Sequence, residues 1–178
     1  LAQKLSGKRI AGLEHIPILL QKLLDTLNVE PIAEKYHQAL NFLFIGRNLN
    51  YPIALEGALK LKEVSYIHAE GYAGGELKHG PIALIEEGTP CIALCGRDEV
   101  MTDILNNATE LNARGAFVIG VAPEPQAVFD EWIKVPEAGT AQAIINIIPI
   151  QVLAYFLAVK RGKNPDMPRN LAKSVTVK

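Results

Sequence analysis

The sequence predicts an α/β domain, a parallel sheet sandwiched by helices, entered through an N-terminal helical arm. Two observations carry this. Short apolar runs of strand length recur at Leu43-Phe44-Ile45, Cys91-Ile92-Ala93-Leu94-Cys95, Phe117-Val118-Ile119-Gly120-Val121 and Trp132-Ile133-Lys134-Val135. Segments of helical periodicity lie between them, and strands alternating with helices of that length argue for a parallel sheet covered on both faces. At 178 residues, 49% hydrophobic and 21% charged, the chain is long enough to bury a core and has the composition of a folded soluble protein.

The first forty residues read as helical. Ile10, Leu13, Leu20, Leu24 and Leu27 recur at helical intervals, and Pro17 and Pro31 are each placed to begin a helix as its first residue. Residues 1–39 are therefore expected to be a helical arm or linker, and residues 40–178 the main domain, with a tail over 164–178. The first strand ends at Gly46 and leads through the polar turn 47–50 into a helix from Pro52 to about Tyr66. After the run at 91–95 and the turn Gly96-Arg97-Asp98, a helix places Val100, Ile104, Leu105 and Leu111 on one side and stops at Gly115. Parallel sheets bind ligands at the carboxyl ends of their strands, so the loop over 46–50 is the first place to look.

Residues 141–159 are apolar enough to suggest a membrane span, but Gln142, Asn146, Gln151 and the internal Pro149 favour a buried core helix. Cys91 and Cys95 are four residues apart in a strand, which puts their Cα atoms ~13 Å apart, too far for a disulfide. They read as reduced, buried hydrophobes of a cytoplasmic protein. A net charge of −1 gives no electrostatic reason to expect nucleic acid or an anionic membrane. No signal peptide is expected at the start, and a first residue that is not Met is what a piece of a longer protein would show.

Three segments carry residues with chemistry. YPIALEGALKLKEVSY sets Glu56, Lys60 and Glu63 four and three residues apart, on one helical stripe. The stripe is either a solvated face with an ordinary Glu56–Lys60 pair, or it faces the crevice above the first strand, where a carboxylate beside an ammonium serves as a base. HAEGYAGGELKHGP holds a short glycine-punctuated helical turn with His79 in its last turn, as a helix C-terminal cation or as a proton carrier for a ring oxygen. PRNLAKSVTVK is a polar tail expected to fray; its Lys173 acquires a role only if the tail folds back and partly buries the amine, which suits it to forming an imine with a carbonyl. The loop over 46–50 precedes a helix N-terminus but lacks Ser and Thr, so it is a weak phosphate cradle. No Walker, GxGxxG or metal-ligand pattern is present, and no cofactor or metal is expected.

Taken together, YPIALEGALKLKEVSYIHAEGYAGGELKHGPIALI and PRNLAKSVTVK closely resemble the C-terminal half of the isomerase part of the glutamine–fructose-6-phosphate aminotransferases, also called glucosamine-6-phosphate synthases. The resemblance runs from about Leu43 to Lys178 and implies a sugar isomerase (SIS) fold, a flavodoxin-like parallel sheet between helices. It implies that Glu63 is the base moving a proton between C1 and C2 in ketose-to-aldose isomerisation. It implies that His79 assists sugar ring opening from the neighbouring subunit of a homodimer, and that Lys173 forms a Schiff base with fructose 6-phosphate. Ala172 matches a backbone contact to the sugar, and Lys60 and Glu56 match accessory site positions.

The family's parent enzyme also has a glutaminase domain and a first SIS copy carrying a hydroxyl-rich phosphate loop. This sequence contains neither, so the isolated chain is expected not to use glutamine and to isomerise fructose 6-phosphate poorly or not at all. A stand-alone phosphosugar isomerase or deaminase-like relative would need a full phosphate loop. A regulatory sugar-phosphate or nucleotide-sugar binding module would have no use for both a base and an imine-forming amine.

Overall fold

The computed structural model describes residues 13–171. Its five strands, β1 (Asn41–Gly46), β2 (His68–Ala73), β3 (Pro90–Leu94), β4 (Phe117–Ala122) and β5 (Glu131–Lys134), form one sheet in the order β2-β1-β3-β4-β5. Every pairing is parallel. Five helices accompany them: α1 (Ile16–Thr26), α2 (Glu30–Tyr36), α3 (Asn50–Lys60), α4 (Met101–Asn112) and α5 (Gln142–Lys160). This is the flavodoxin-like strand order, in which the order reverses between β1 and β3.

Strand alternation sends successive side chains to opposite faces, and each face has its own core. Phe42, Phe44, Ile92, Leu94, Ile119 and Val121 join a cluster with residues of α1, α2, α3 and α5. Leu43, Ile45, Cys91, Ala93 and Val118 pack instead with Ile104, Ala108 and Leu111 of α4. The helices before β1 are thus built into the first core through Ile16, Leu23, Ile32, Ala33 and Tyr36. Their buried stripe is offset from the expected one, for Leu24 is half exposed while Leu23 is buried. Pro17 and Pro31 are each the second rather than first helical residue, equally tolerable because the first-turn N–H groups need no intrahelical partner.

Four strands were expected and five are found. β2 falls in the stretch read as a glycine-rich turn; it has a single neighbour, β1, and its half-exposed sequence His-Ala-Glu-Gly-Tyr-Ala has no apolar run. Gly71 in it is a close-approach residue, since a Cβ there would lie 2.7 Å from the backbone of Ala54 on α3. The helix expected from Pro52 starts at Asn50, with Pro52 still in the first turn. The long apolar helix is α5, which is long and apolar enough to cross a membrane, but it packs here as a core helix.

Two polar residues of α5 are buried for a reason. Asn146 donates through Nδ2 to Asn50 Oδ1 and to the Cys95 carbonyl, each at 2.9 Å, and accepts from Gln142 Nε2 at 2.9 Å. Gln142 in turn donates to the Pro136 carbonyl and accepts from the Ala138 N–H. The network ties the start of α3, the end of β3 and α5 together where the strand order reverses. Both cysteines are buried free thiols, and burial pushes each up to about 12.

Candidate active site

At the strand-order reversal, a cleft of about 290 Å³ opens between the loop after β1 and the loop after β3, lined by Asn48, Asn50, Arg97, Asp98 and Thr140 among others. Thr140 is the one hydroxyl residue among its lining residues, and Arg97 is paired with Glu124. The cleft thus lacks the row of hydroxyl donors that a phosphate cradle needs, consistent with the weak expectation placed on the loop. Arg47, also in that loop, is turned away toward α4, where it meets Asn107 Oδ1 at 3.0 Å and Asp103 at 3.5 Å.

Glu56, Lys60 and Glu63 do form one group, but not at this cleft. Lys60 Nζ lies 2.6 Å from Glu63 Oε2 and 3.3 Å from Glu56 Oε1. Glu63 stands thirteen residues past the start of α3, hence ~20 Å along the helix axis from it. The chain enters β2 at His68, which pairs with Asn41, the first residue of β1, so Glu63 sits near the amino ends of the strands. The crevice expectation is corrected by this geometry: α3 runs antiparallel to β1 and carries its last turn away from the strand's carboxyl end. Nor is the stripe a solvated face, for the side chains of Lys60 and Glu63 are only 29 and 26% exposed. The hydrogen bond that Lys60 donates to Glu63, supported by Glu56, raises the Lys60 amine above its ordinary pKa against the opposing effect of burial.

The local backbone around Glu63 is unusual. α3 passes at Leu61–Ser65 into a turn of π-helix, a wider winding that occurs mostly as single turns at functional sites. Ser65 closes it by donating to the Leu61 carbonyl at 2.7 Å. Tyr66 then stops the helix in the left-handed region, at φ 60° and ψ 21°, where a glycine is usual and a bulky side chain is strained.

His79 lies in the expected short helical turn, Gly74–His79, after the carboxyl end of β2. The six residues of β2 separate its end of the sheet from that of Glu63, so one chain does not bring the two together. In a 3-10 turn, residues three apart eclipse, and Glu76 Oε2 accordingly meets His79 Nδ1 at 2.7 Å. A carboxylate only accepts, so Nδ1 carries the proton and Nε2 is the nitrogen left to act. The turn is held from below by the buried Leu77, by Gly74 against Asn107, and by a Lys78–Glu110 pair at 2.9 Å.

The tail, expected to fray as a bare terminus, is anchored in its described part. The Arg169 N–H donates to the Tyr66 phenol oxygen at 2.8 Å, and the Arg169 guanidinium lies 4.3 Å from the centre of that ring. The tail therefore returns to the end of α3 that carries Glu63. Lys173 and Ala172 lie outside the described residues. Sequence reasoning missed Tyr66, Arg169 and Glu76. The i,i+3 spacing of Glu76 and His79 was legible, but nothing local marks a tyrosine for a left-handed position.

Among known proteins, residues 35–161 match the SIS domain model. A glutamine–fructose-6-phosphate aminotransferase (isomerizing) from Gloeobacter violaceus is 50% identical over an alignment covering 97% of this chain and 30% of the relative. The chain thus spans about a third of the length of such relatives. Of solved structures, the C-terminal domain of glucosamine-fructose-6-phosphate aminotransferase from Francisella tularensis superposes with a TM-score of 0.81 at 38% identity, over 88% of this chain and 46% of that one. A glucosamine-6-phosphate deaminase from Thermotoga maritima gives 0.77 at 27% identity, over 98% of this chain and 52% of that one. With its five parallel strands in flavodoxin-like order and a family match across most of its length, the chain belongs to the SIS domain family.

Proposed function

We propose that this domain supplies the isomerase end of a glutamine–fructose-6-phosphate aminotransferase, which converts fructose 6-phosphate and glutamine to glucosamine 6-phosphate and glutamate. The observation that carries the reading is the half-buried Glu56–Lys60–Glu63 group at the end of α3, with the C-terminal tail anchored three residues further on at Tyr66. A base at the point where the tail is anchored suits a ketose-to-aldose conversion through an imine, which needs a carboxylate and an amine at one sugar.

In this reading the Lys173 amine adds to C2 of the open-chain sugar, and water leaves as the imine forms; ammonia released from glutamine by the glutaminase domain then displaces the lysine nitrogen, which frees Lys173 and leaves the sugar as its C2 imine. Glu63 takes the proton from C1 and returns it to C2. Lys60, paired to both carboxylates, holds Glu63 in place, with Glu56 as its second partner, and the Ala172 backbone contacts the sugar. His79, with Nε2 free, opens the sugar ring in a neighbouring subunit. That role suits its position away from Glu63 and its 71% exposed side chain. The phosphate is gripped elsewhere, by a first SIS copy, since the cleft of this domain has Thr140 as the one hydroxyl residue among its lining residues. A homodimer, a glutaminase domain and a cytoplasmic location complete the proposal, the last supported by two free, buried cysteines.

Borohydride in the presence of fructose 6-phosphate tests the imine. In the full-length protein it should fix the sugar on Lys173, and labelling of another residue would refute the assignment. A second reading, a phosphosugar deaminase, is favoured by the likeness to the Thermotoga maritima structure. It predicts ammonia release from glucosamine 6-phosphate without any use of glutamine.

A further inference from the structure

We propose that Tyr66 is a positioning residue joining the two halves of this site: it fixes the turn that presents Glu63 and seats the tail that leads to Lys173. The inference rests on the functional reading above and adds a residue to it. Three features meet at Tyr66. It ends the π turn Leu61–Ser65 that carries Glu63. Its backbone adopts φ 60°, a conformation that glycine would occupy without strain. Its phenol accepts the Arg169 N–H at 2.8 Å while its ring lies under the Arg169 guanidinium, across 103 residues of sequence.

Glycine at this position would end the helix more comfortably but would have no side chain to hold the tail. The strain at Tyr66 is therefore matched by a contact that only a long side chain with a terminal acceptor provides. The tail changes direction immediately afterwards, at Asn170, which is also left-handed at φ 61°. From Arg169 to Lys173 is four residues, at most ~14 Å of extended chain. Anchoring Arg169 on Tyr66 thereby fixes the point from which the rest of the tail departs beside the turn bearing Glu63. Proton transfer between C1 and C2 of a sugar held as an imine at C2 needs the base and the amine set against adjacent carbons, and small misplacements of such groups are costly in rate.

Tyr66→Phe separates the anchor from the ring: it keeps the stacking surface and removes the acceptor. In this chain, hydrogen exchange of the Arg169 amide should become about three- to tenfold faster, as expected for loss of one hydrogen bond. In the full-length protein, C1/C2 proton exchange and borohydride trapping should fall together several-fold, while sugar-phosphate affinity stays within about twofold of the unmodified protein. Tyr66→Asn suits the left-handed backbone but cannot reach the tail, so it should fold and be at least as impaired. Unchanged Arg169 exchange, unchanged turnover, or affinity lost in proportion to turnover would each overturn the proposal. Glu63→Gln run alongside separates the two levels. If it retains proton exchange, the functional reading fails; if it is inactive while Tyr66→Phe turns over normally, only the role of Tyr66 fails.

Discussion

Replacing Asn146 with alanine removes the centre of the network that joins α3, β3 and α5. Asn146 is fully buried and makes three side-chain hydrogen bonds, to Asn50, to the Cys95 carbonyl and from Gln142. Gln142 keeps its bond to the Pro136 carbonyl, so it is not orphaned. The Cys95 carbonyl and Asn50 Oδ1 each lose their donor in a dry site, at about 1–3 kcal/mol apiece. The small void left by the shorter side chain adds to this, which puts the whole near 3 kcal/mol. For a domain of this size that corresponds to a fall of about 6–12 °C in Tm. Urea unfolding followed by circular dichroism measures it directly, with Gln151→Ala on the exposed side of the same helix as control, expected within about 0.5 kcal/mol of the parent. A loss below about 1 kcal/mol for Asn146→Ala would show that the network is not what fixes the strand-order reversal.

Stability should fall on the alkaline side. Burial raises both cysteine thiols from 9.0 to about 12, so the native chain holds protons that the unfolded chain releases. The loss should begin above pH 9 and grow by up to about 1.4 kcal/mol per pH unit per thiol until about pH 12. Lys60 and Tyr36, also raised, add to it from above pH 10, and Cys91→Ala with Cys95→Ala should flatten the slope, as read from urea midpoints against pH. Gly71→Ala places a methyl 2.7 Å from the Ala54 backbone, which cannot swing aside; a loss of about 2 kcal/mol or more by urea unfolding is expected. If His79 acts across a two-fold dimer, mixing inactive Glu63→Gln and His79→Ala full-length subunits should restore about a quarter of the sites, measured as glucosamine 6-phosphate formed. No recovery after subunit exchange would place His79 in its own subunit's site or outside the chemistry.

The central sheet was legible because β1, β3 and β4 are buried on both faces and therefore apolar throughout. β2 was not, because an edge strand held by one neighbour needs no apolar run, and its Gly71 answers to the passage of α3 rather than to a turn. Helical spacing put Glu56, Lys60 and Glu63 together correctly. Of the two readings it left open, the crevice put them at the wrong end of the sheet, because periodicity fixes which residues share a stripe but not how far along the helix the ligand lies. The Tyr66–Arg169 contact joins residues 103 apart and is specified by tertiary packing, which no local pattern announces.

The most direct test of the account is proton exchange between C1 and C2 of fructose 6-phosphate in deuterium oxide, comparing the full-length protein with its Glu63→Gln variant. The amide keeps the shape of the carboxylate and its contact with Lys60 but cannot take a proton. Sugar binding should survive while deuterium incorporation falls by about two to four orders of magnitude, the usual contribution of a positioned base. Incorporation at the parent rate would contradict the assignment of Glu63, and with it the functional role given to the end of α3.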